Sequence, residues 1–147
     1  MRTKYPPAHT PFVVPYTVTE ADIDEQGRAN NVEILRWMNV AAVAHSLALG
    51  FDHGRFTELG GMFVVRRHEI DYRLPAFLGD RLELRTWPCL MKAATAHRAH
   101  EIVRLADGQT IATGINVWGF VHPTTGRPVR MPSDVLRAFD PAKFCAD

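Results

Sequence analysis

The feature that most constrains the fold is a long apolar segment, Val32 to Leu49, which directly follows an acidic, glycine-containing turn, Asp22 to Asn31. The apolar residues of this segment cover nearly the whole circumference of a helix, which is the pattern of a buried helix and not of a one-faced surface helix. The segment predicts a helix over residues 31–49, roughly 28 Å long at 1.5 Å per residue. The rest of the chain is therefore expected to surround this helix.

Both ends of the segment have residue types that begin and end helices. Asn30 is a favourable N-cap, and Glu33 lies three residues on, where its carboxylate can accept from the N–H of the cap. Gly50 supplies the left-handed residue that commonly ends a helix. These residues fix where the predicted helix begins and ends.

Asp24 lies in the acidic turn, just before the predicted helix. The free N–H groups and positive end of a helix can polarise a carbonyl group, which a nearby carboxylate could attack or could hydrolyse through a water molecule. The alternative is that Asp24 is a plain turn or capping residue, since Asp is common before helices. The residues alone leave both interpretations open.

The remainder of the chain has the pattern of β-strands, predicted at residues 12–18, 62–74, 81–87, 95–105 and 109–121. Two of these strands are predicted to have an apolar face, formed by Val64, Ile70, Tyr72 and Leu74 in one and by Ile111, Ile115, Val117 and Val121 in the other. Residues 51–61 are predicted to be a polar loop, and a short terminal helix is predicted to start near a cap at Ser133.

This order of elements predicts an α+β fold in which an antiparallel five-stranded sheet is wrapped around one long buried helix. A single sheet leaves its edges unpaired, so association of subunits through sheet edges is expected. The 147 residues suit a single domain, residues 1–147, in which residues 1–9 are expected to form a loose N-terminal arm.

Composition and charge exclude several classes of function. A net charge of +1 gives no electrostatic attraction to nucleic acid or to an anionic membrane. The N-terminus lacks the apolar core of a secretory signal, and polar residues interrupt the apolar segment, so no membrane span is expected. Cys89 and Cys145 form neither a disulfide framework nor a ligand cluster, which makes the cytoplasm the default location.

Several short motifs, taken in order, resemble those of the hotdog-fold thioesterases, specifically the 4-hydroxybenzoyl-CoA thioesterase-like family. The motifs are Asp22-x-Asp24-x-x-Gly27-x-x-Asn30-Asn31 with Leu35-Arg36-Trp37-Met38, then Glu69-Ile70-Asp71-Tyr72-x-x-Pro75, Gly79-Asp80-x-Leu82 and Thr125-Gly126-Arg127-Pro128. The resemblance covers about residues 12–133. It implies a hotdog fold and hydrolysis of an acyl-CoA thioester, in a site between two subunits of a homodimer or homotetramer, without a metal or other cofactor.

The resemblance also implies roles for single residues. Asp24 would be the catalytic carboxylate, acting as nucleophile or general base, and Asn31 would polarise the thioester carbonyl through its backbone N–H. A second branch of these enzymes has its acid midway along the helix, where this chain has Asn39, Ala41 and Ala42. That difference favours Asp24.

Residues that the resemblance places at or near the bound substrate are Asn30, Trp37, Met38, Asn39 and Lys92. Lys92, in the turn between two predicted strands, would contact the phosphates of coenzyme A, and Arg98 is a second candidate cation. Arg28 stands where the family commonly has His, and Asn39 stands where an acid is common, so the acyl preference does not follow from the resemblance.

Other chemistries have less support. His97 and His100 are three apart on a predicted strand, so they point to opposite faces and do not form a metal site. The two serines lie outside any G-x-S-x-G motif. Two alternatives remain: a hotdog-fold enoyl-CoA hydratase, which would need an Asp and His pair, and a non-catalytic acyl-CoA-binding protein.

Overall fold

The computed structural model describes residues 7–145 of the chain. Its elements, in chain order, are β1 (Phe12–Thr17), α1 (Asn31–Ala48), α2 (His53–Glu58), β2 (Met62–Tyr72), β3 (Arg81–Met91), β4 (Thr95–Arg104), β5 (Thr110–Val121) and α3 (Ser133–Ala138). None of the helices in these residues is long and apolar enough to cross a membrane.

The five strands form one sheet in the order β1-β3-β4-β5-β2, and every neighbouring pair is antiparallel. Helix α1 lies across one face of this sheet, where Trp37 and Met38 are buried against Leu82, Leu84 and Ile111. The α+β class and the sheet around a long helix are thus confirmed. β1 and β2 are the edge strands of the sheet.

The face of β5 beneath α1 carries small residues because the helix approaches closely. A Cβ atom at Gly114 would lie 2.9 Å from Sδ of Met38, so a larger residue there would force the end of that side chain to move. Gly114 therefore leaves room for Met38 beneath the helix.

A β-bulge in β2, between Val65 and Arg67, shifts the alternation of that strand by one residue. Val64 consequently pairs with Gly119 and Ile70 with Gly114, which lie five residues apart on β5 and face opposite sides of the sheet. The predicted common face of Val64 and Ile70 is therefore wrong.

The predicted apolar face of β5 is wrong for a similar reason, because the pairing with β4 shifts at Ile102 and Val103. Ile111 packs into the core around α1, whereas Ile115 packs against Trp87 and Ala99 in a different cluster.

One side of α1 remains uncovered by the described chain. Val32 and Leu47 are 64% and 55% exposed, and with Val40 and Val43 they form what we call the outer stripe. The expectation that the chain surrounds α1 on all sides is wrong in this respect, because the single sheet covers the opposite side of the helix.

The predicted polar loop at residues 51–61 contains α2. Asp52 caps this helix by accepting a 2.7 Å hydrogen bond from the N–H of Arg55, and Phe56 is buried against Phe51 and Phe120. The short terminal helix is confirmed as α3, although Pro132 and not Ser133 is its N-cap residue.

The predicted N-terminal arm is only partly described. Ala8 forms a β-bridge with Cys145, and the N–H of His9 donates to the carbonyl of Phe144, so this part of the arm is held against the C-terminal segment. The prediction for residues 1–6 lies outside the described residues.

Candidate active site

Asp24 is held in a tight turn by its own backbone and side chain. Its Oδ1 accepts a 2.8 Å hydrogen bond from the N–H of Gln26 and a weaker one, at 3.4 Å, from Arg28. Gly27, with φ of +80°, lets the chain reverse, and a bridge between Ile23 and Ala29 closes the loop. Asp24 Oδ2 accepts no hydrogen bond from residues 7–145, so this oxygen is available to a substrate or a water.

The N-terminus of α1 has a free donor. The side chain of Asn30 accepts from the N–H of Val32 at 3.0 Å, which confirms Asn30 as the cap. The N–H of Asn31 has no acceptor among the described residues, and Asn31 is exposed. This N–H carries part of the positive end of the helix dipole, so it is suited to an oxygen that gains negative charge.

The predicted reciprocal contact from Glu33 to the cap is wrong. The N–H of Asn30 donates instead to the carbonyl of Asp22 at 2.8 Å, and the Glu33 carboxylate pairs with Arg36. The acidic turn is therefore fastened to the helix through its backbone.

Asp22 is the buried anchor of this turn, with only 2% of its surface exposed. Its Oδ2 accepts from the hydroxyl of Tyr16 at 2.7 Å and from the N–H of Thr19 at 2.9 Å, and its Oδ1 lies 3.2 Å from Nη2 of Arg36. Burial alone would raise the pKa of this carboxyl, but the hydrogen bonds outweigh it and hold the pKa below its usual value.

Replacing Asp22 by Asn is expected to lower the free energy of unfolding at neutral pH by about 2–3 kcal/mol, since charge-assisted hydrogen bonds to a buried group are lost. The pKa of Asp22 is lower in the folded state than in the unfolded state. The ionised carboxylate therefore stabilises the fold at a pH above the unfolded-state pKa, and this stabilisation is lost as the pH falls through the folded-state pKa. The difference from wild type should therefore shrink below about pH 4. Urea denaturation measures both effects.

Glu25→Gln is the matched control, because Glu25 is an exposed carboxylate of the same turn. Its effect on stability should stay within about 0.5 kcal/mol. Equal stability of the Asp22→Asn and Glu25→Gln variants would contradict the anchoring role of Asp22.

A cavity of about 420 Å³ lies at the other end of α1, between that helix, α2 and the helix-facing side of the sheet. Most of its lining is apolar, including Ala42, Val43, Leu47, Phe51, Phe56, Met62, Met91 and Trp118. Ser46, which also lines it, is about 22 Å along the helix axis from Asn31 at 1.5 Å per residue. Within one chain the cavity is therefore remote from Asp24.

Arg98 is a buried cation in the wall of this cavity, only 6% exposed. Its Nη1 donates to Nδ1 of His45 at 3.0 Å and to the hydroxyl of Thr86 at 3.1 Å. Burial, together with the charge of Arg98, lowers the pKa of His45 to about 4, so the ring is neutral and can accept. Burial also lowers the pKa of Arg98 to about 10, which leaves it charged at neutral pH.

A second polar chain crosses the sheet beneath α1. His100 Nε2 is hydrogen-bonded to Oδ1 of Asn116, whose Nδ2 donates to Nδ1 of His68 at 2.7 Å. Burial lowers the pKa of His100 to about 3 and lowers that of His68, so both rings favour the neutral form. Since Nδ1 of His68 accepts, the proton of this neutral ring is on Nε2.

The predicted substrate-binding residues lie in different places. Trp37 and Met38 are completely buried in the core, against Tyr16 and Gly114. Asn39 has a buried Oδ1 that receives no hydrogen bond from the described residues. Core packing accounts for the first two, and a contact between any of the three and a substrate stays a prediction.

Lys92 is exposed in the turn between β3 and β4. Lys92 follows the last residue of β3. Asp24 follows β1, and the last residue of β1 pairs with the first residue of β3. At about 3.3 Å per residue, β3 separates these two ends by roughly 33 Å. The structure therefore brings together Asp24, Asn30 and Asn31 but not Lys92 within one chain.

The sequence did not predict the cavity, and it suggested Arg98 only as a second candidate cation for the phosphates of coenzyme A. The structure buries Arg98 beneath α1 and opposite Asn116 on β5. The available signal was the alternation of β4, which places Arg98 and His100 on the same face as the buried Ile102.

The histidines are not arranged as metal ligands. His97 pairs with Val117 and His100 with Gly114, which puts the two rings on opposite faces, as predicted. Among residues 7–145, no group of three His, Cys, Asp or Glu side chains is placed to hold a metal ion. The expectation that no cofactor is needed stays a prediction.

Solved structures with the same architecture include several thioesterases. A 1,4-dihydroxy-2-naphthoyl-CoA thioesterase from Synechocystis has a TM-score of 0.81 at 18% identity, over 88% of this chain and 95% of that one. A DHNA-CoA thioesterase from Staphylococcus aureus has a TM-score of 0.75 at 19% identity, over 91% and 86%. The probable thioesterase YbaW from Escherichia coli has a TM-score of 0.75 at 18% identity, over 88% and 97%. These similarities establish the hotdog fold.

The family follows from the sequence itself. The model of the thioesterase-like superfamily matches residues 18–139, which is most of the chain. A search of curated proteins found no match to the chain. The chain belongs to the thioesterase-like superfamily. It is a thioester hydrolase.

Proposed function

We propose that the protein hydrolyses acyl-CoA thioesters, with Asp24 as the nucleophile or general base and the N-terminus of α1 as the group that polarises the thioester carbonyl. One observation carries this proposal. A carboxylate oxygen of Asp24 and the N–H of Asn31, neither of which has a hydrogen-bond partner within residues 7–145, lie at the same end of α1 in a chain of the thioesterase-like superfamily.

In this mechanism the thioester carbonyl oxygen accepts from the N–H of Asn31, and the positive helix end stabilises the charge that the oxygen gains. Asp24 either attacks the carbonyl carbon, giving an anhydride that water cleaves, or removes a proton from the water that attacks. In both routes the C–S bond breaks, coenzyme A leaves as a thiolate that takes up a proton, and the free acid is released.

Two exposed surfaces support association with a second copy of the chain. The outer stripe of α1 is apolar and uncovered, and β2 is an edge strand of 11 residues with exposed Val65 and Tyr72. A long edge with apolar side chains pairs readily with another strand. We therefore assign these surfaces to a homo-oligomer built from dimers.

A two-fold axis perpendicular to α1, passing close to Val40 near the middle of the outer stripe, would make the two α1 helices antiparallel. Asn31 of one subunit would then lie near Leu47 of the other. Because Leu47 and Val43 line the cavity and are exposed, the catalytic end of each subunit would face the cavity of its partner. The acyl group would enter that cavity.

The same symmetry gives Lys92 a place in the site. Lys92 lies at the cavity end of its own chain, and therefore near the catalytic end of the other subunit. An ammonium group there would attract the phosphates of coenzyme A. Lys92 thus serves the site only across the subunit interface.

The test is release of free thiol from a panel of aliphatic, aromatic and hydroxylated acyl-CoA thioesters. At least one class should be hydrolysed with a kcat of about 1 s⁻¹ or more. Thioesters of N-acetylcysteamine with the same acyl groups are the matched control. They lack the phosphates, so their KM should be higher. The absence of thiol release above the uncatalysed rate from every acyl-CoA would contradict the proposed function.

A further inference from the structure

Arg98 is a buried charge without a counter-ion in the part of the chain that is described. No carboxylate oxygen among residues 7–145 lies within 4.0 Å of its guanidinium nitrogens. Burying an ionised group is costly unless the group is paired. An unpaired, buried guanidinium therefore requires a partner from outside the described residues, or a function.

The groups around Arg98 cannot supply the missing charge. His45 is neutral, and Thr86 offers an uncharged hydroxyl. Burial raises the pKa of the nearby Cys89 thiol to about 12, so it is not a thiolate. Phe139 contacts the cation with its ring, whose centroid is 5.9 Å from the guanidinium carbon. These contacts position the guanidinium and leave its charge uncompensated.

The guanidinium also has donors to spare. Both hydrogen bonds described above involve Nη1, whereas Nε and Nη2 donate to no acceptor in the described residues. Arg98 lines the cavity, so these donors are available to a molecule inside it. A guanidinium edge with two free nitrogens matches the two oxygens of a carboxylate.

The rest of the cavity suits an apolar body attached to that carboxylate. Phe51, Phe56 and Met91 form part of its wall, and its volume of about 420 Å³ lies within the range of small-molecule sites. A ligand with an apolar chain and one terminal anionic group would pack against the wall and pair with the cation.

We infer that the cavity binds the far end of an acyl group that bears a second carboxylate, so that the substrates are thioesters of dicarboxylic acids. Arg98 pairs with the free carboxylate and is the specificity-determining residue. Phe51, Phe56 and Met91 contact the intervening carbon chain. This inference rests on the proposed acyl-CoA hydrolysis, since it names the class of substrate for that site.

The first test compares acyl-CoA pairs with equal carbon number, adipyl-CoA with hexanoyl-CoA and suberyl-CoA with octanoyl-CoA. Wild type should favour the dicarboxylic member of at least one pair by about tenfold or more in kcat/KM. Arg98→Met should lower kcat/KM for that member by about 10²-fold, a loss at least about tenfold larger than the loss for the neutral member. Arg98→Lys, which keeps the charge, should fall between wild type and Arg98→Met.

Arg137→Met is the matched control, because Arg137 is an exposed arginine that does not itself line the cavity. It should leave both substrate classes unchanged. A wild-type preference for the neutral member of both pairs would overturn the inference, and this result needs no variant to fold.

A binding measurement separates this inference from the proposed function. Calorimetry with free adipate and suberate should show binding to wild type that is lost in Arg98→Met and kept in Arg137→Met. If wild type binds the diacids through Arg98 but hydrolyses no acyl-CoA, the carboxylate site stands and the proposed function fails. If neutral acyl-CoA is hydrolysed and the diacids do not bind, the hydrolase stands and the role of Arg98 is overturned.

Discussion

Asp24→Asn is expected to lower kcat for acyl-CoA hydrolysis by about 10³-fold or more, since both proposed routes need a carboxylate that attacks carbon or takes a proton. Asn retains an oxygen that can accept from the N–H of Gln26, so the turn should keep its shape. The free energy of unfolding and the affinity for acyl-CoA should change little. Thiol release, urea denaturation and calorimetry measure the three quantities.

Asp22→Asn, in the same turn, is expected to have the opposite effects on stability and on activity. Asp22 is buried and hydrogen-bonded, whereas one oxygen of Asp24 accepts no hydrogen bond from the part of the chain that the structure describes. Asp22→Asn should therefore lose stability and keep most of its activity at a temperature where it remains folded. Activity of Asp24→Asn within about tenfold of wild type would contradict the catalytic assignment.

The second large effect is expected when two inactive variants are combined in one dimer. Asp24→Asn lacks the carboxylate, and Ser46→Trp fills the cavity with a bulky ring. If each site joins Asp24 of one subunit to the cavity of the other, a hybrid dimer contains one intact site and one doubly altered site. The hybrid should regain about half of the wild-type activity, although each variant alone is nearly inactive.

The hybrid is isolated with two different affinity tags and assayed by thiol release. Ala48→Trp replaces Ser46→Trp in the control, because Ala48 is an exposed residue of α1 that does not line the cavity. This control should be active by itself. Inactivity of the isolated hybrid would show that each site lies within one chain, and light scattering that finds a monomeric wild type would remove the two-subunit arrangement.

The features predicted correctly from the sequence are those set by local interactions. Asn30 caps α1 through a bond to a residue two positions away, and Gly50 ends the helix with φ of +91°. Turn and cap chemistry depends on a few neighbouring residues, so the sequence contains it. The order of elements followed from the same local patterns, and with it the fold.

One local prediction failed, because the Glu33 carboxylate pairs with Arg36 and not with the cap. The other features predicted incorrectly depend on contacts between distant segments. The bulges of β2 and β5 reverse the side to which later residues point, and nothing in the local pattern marks them. The face of β5 beneath α1 carries Gly114 and Asn116, because Met38 fills the space there and His100 needs a partner. The alternation of apolar residues in the sequence therefore predicted the wrong face of β5.

The candidate site divides in the same way. Asp24 and Asn31 belong to one continuous turn, so a short motif identified them together. The cavity is assembled from α1, α2 and four strands, and the burial of Arg98 depends on His45 from a different element. The alternation of β4 indicates which face Arg98 lies on, whereas the hydrogen bond to His45 that accompanies its burial depends on the packing of α1 against the sheet.

The bulge in β2 holds one extra residue without moving the strand pairs on either side of it. Val65 pairs with Trp118 and Arg67 with the adjacent Val117, so Arg66 is the extra residue. Removing Arg66 would close the bulge and leave His68 opposite Asn116, beneath the helix. The bulge therefore lets β2 gain or lose one residue at this point while the polar layer beneath α1 keeps its side chains.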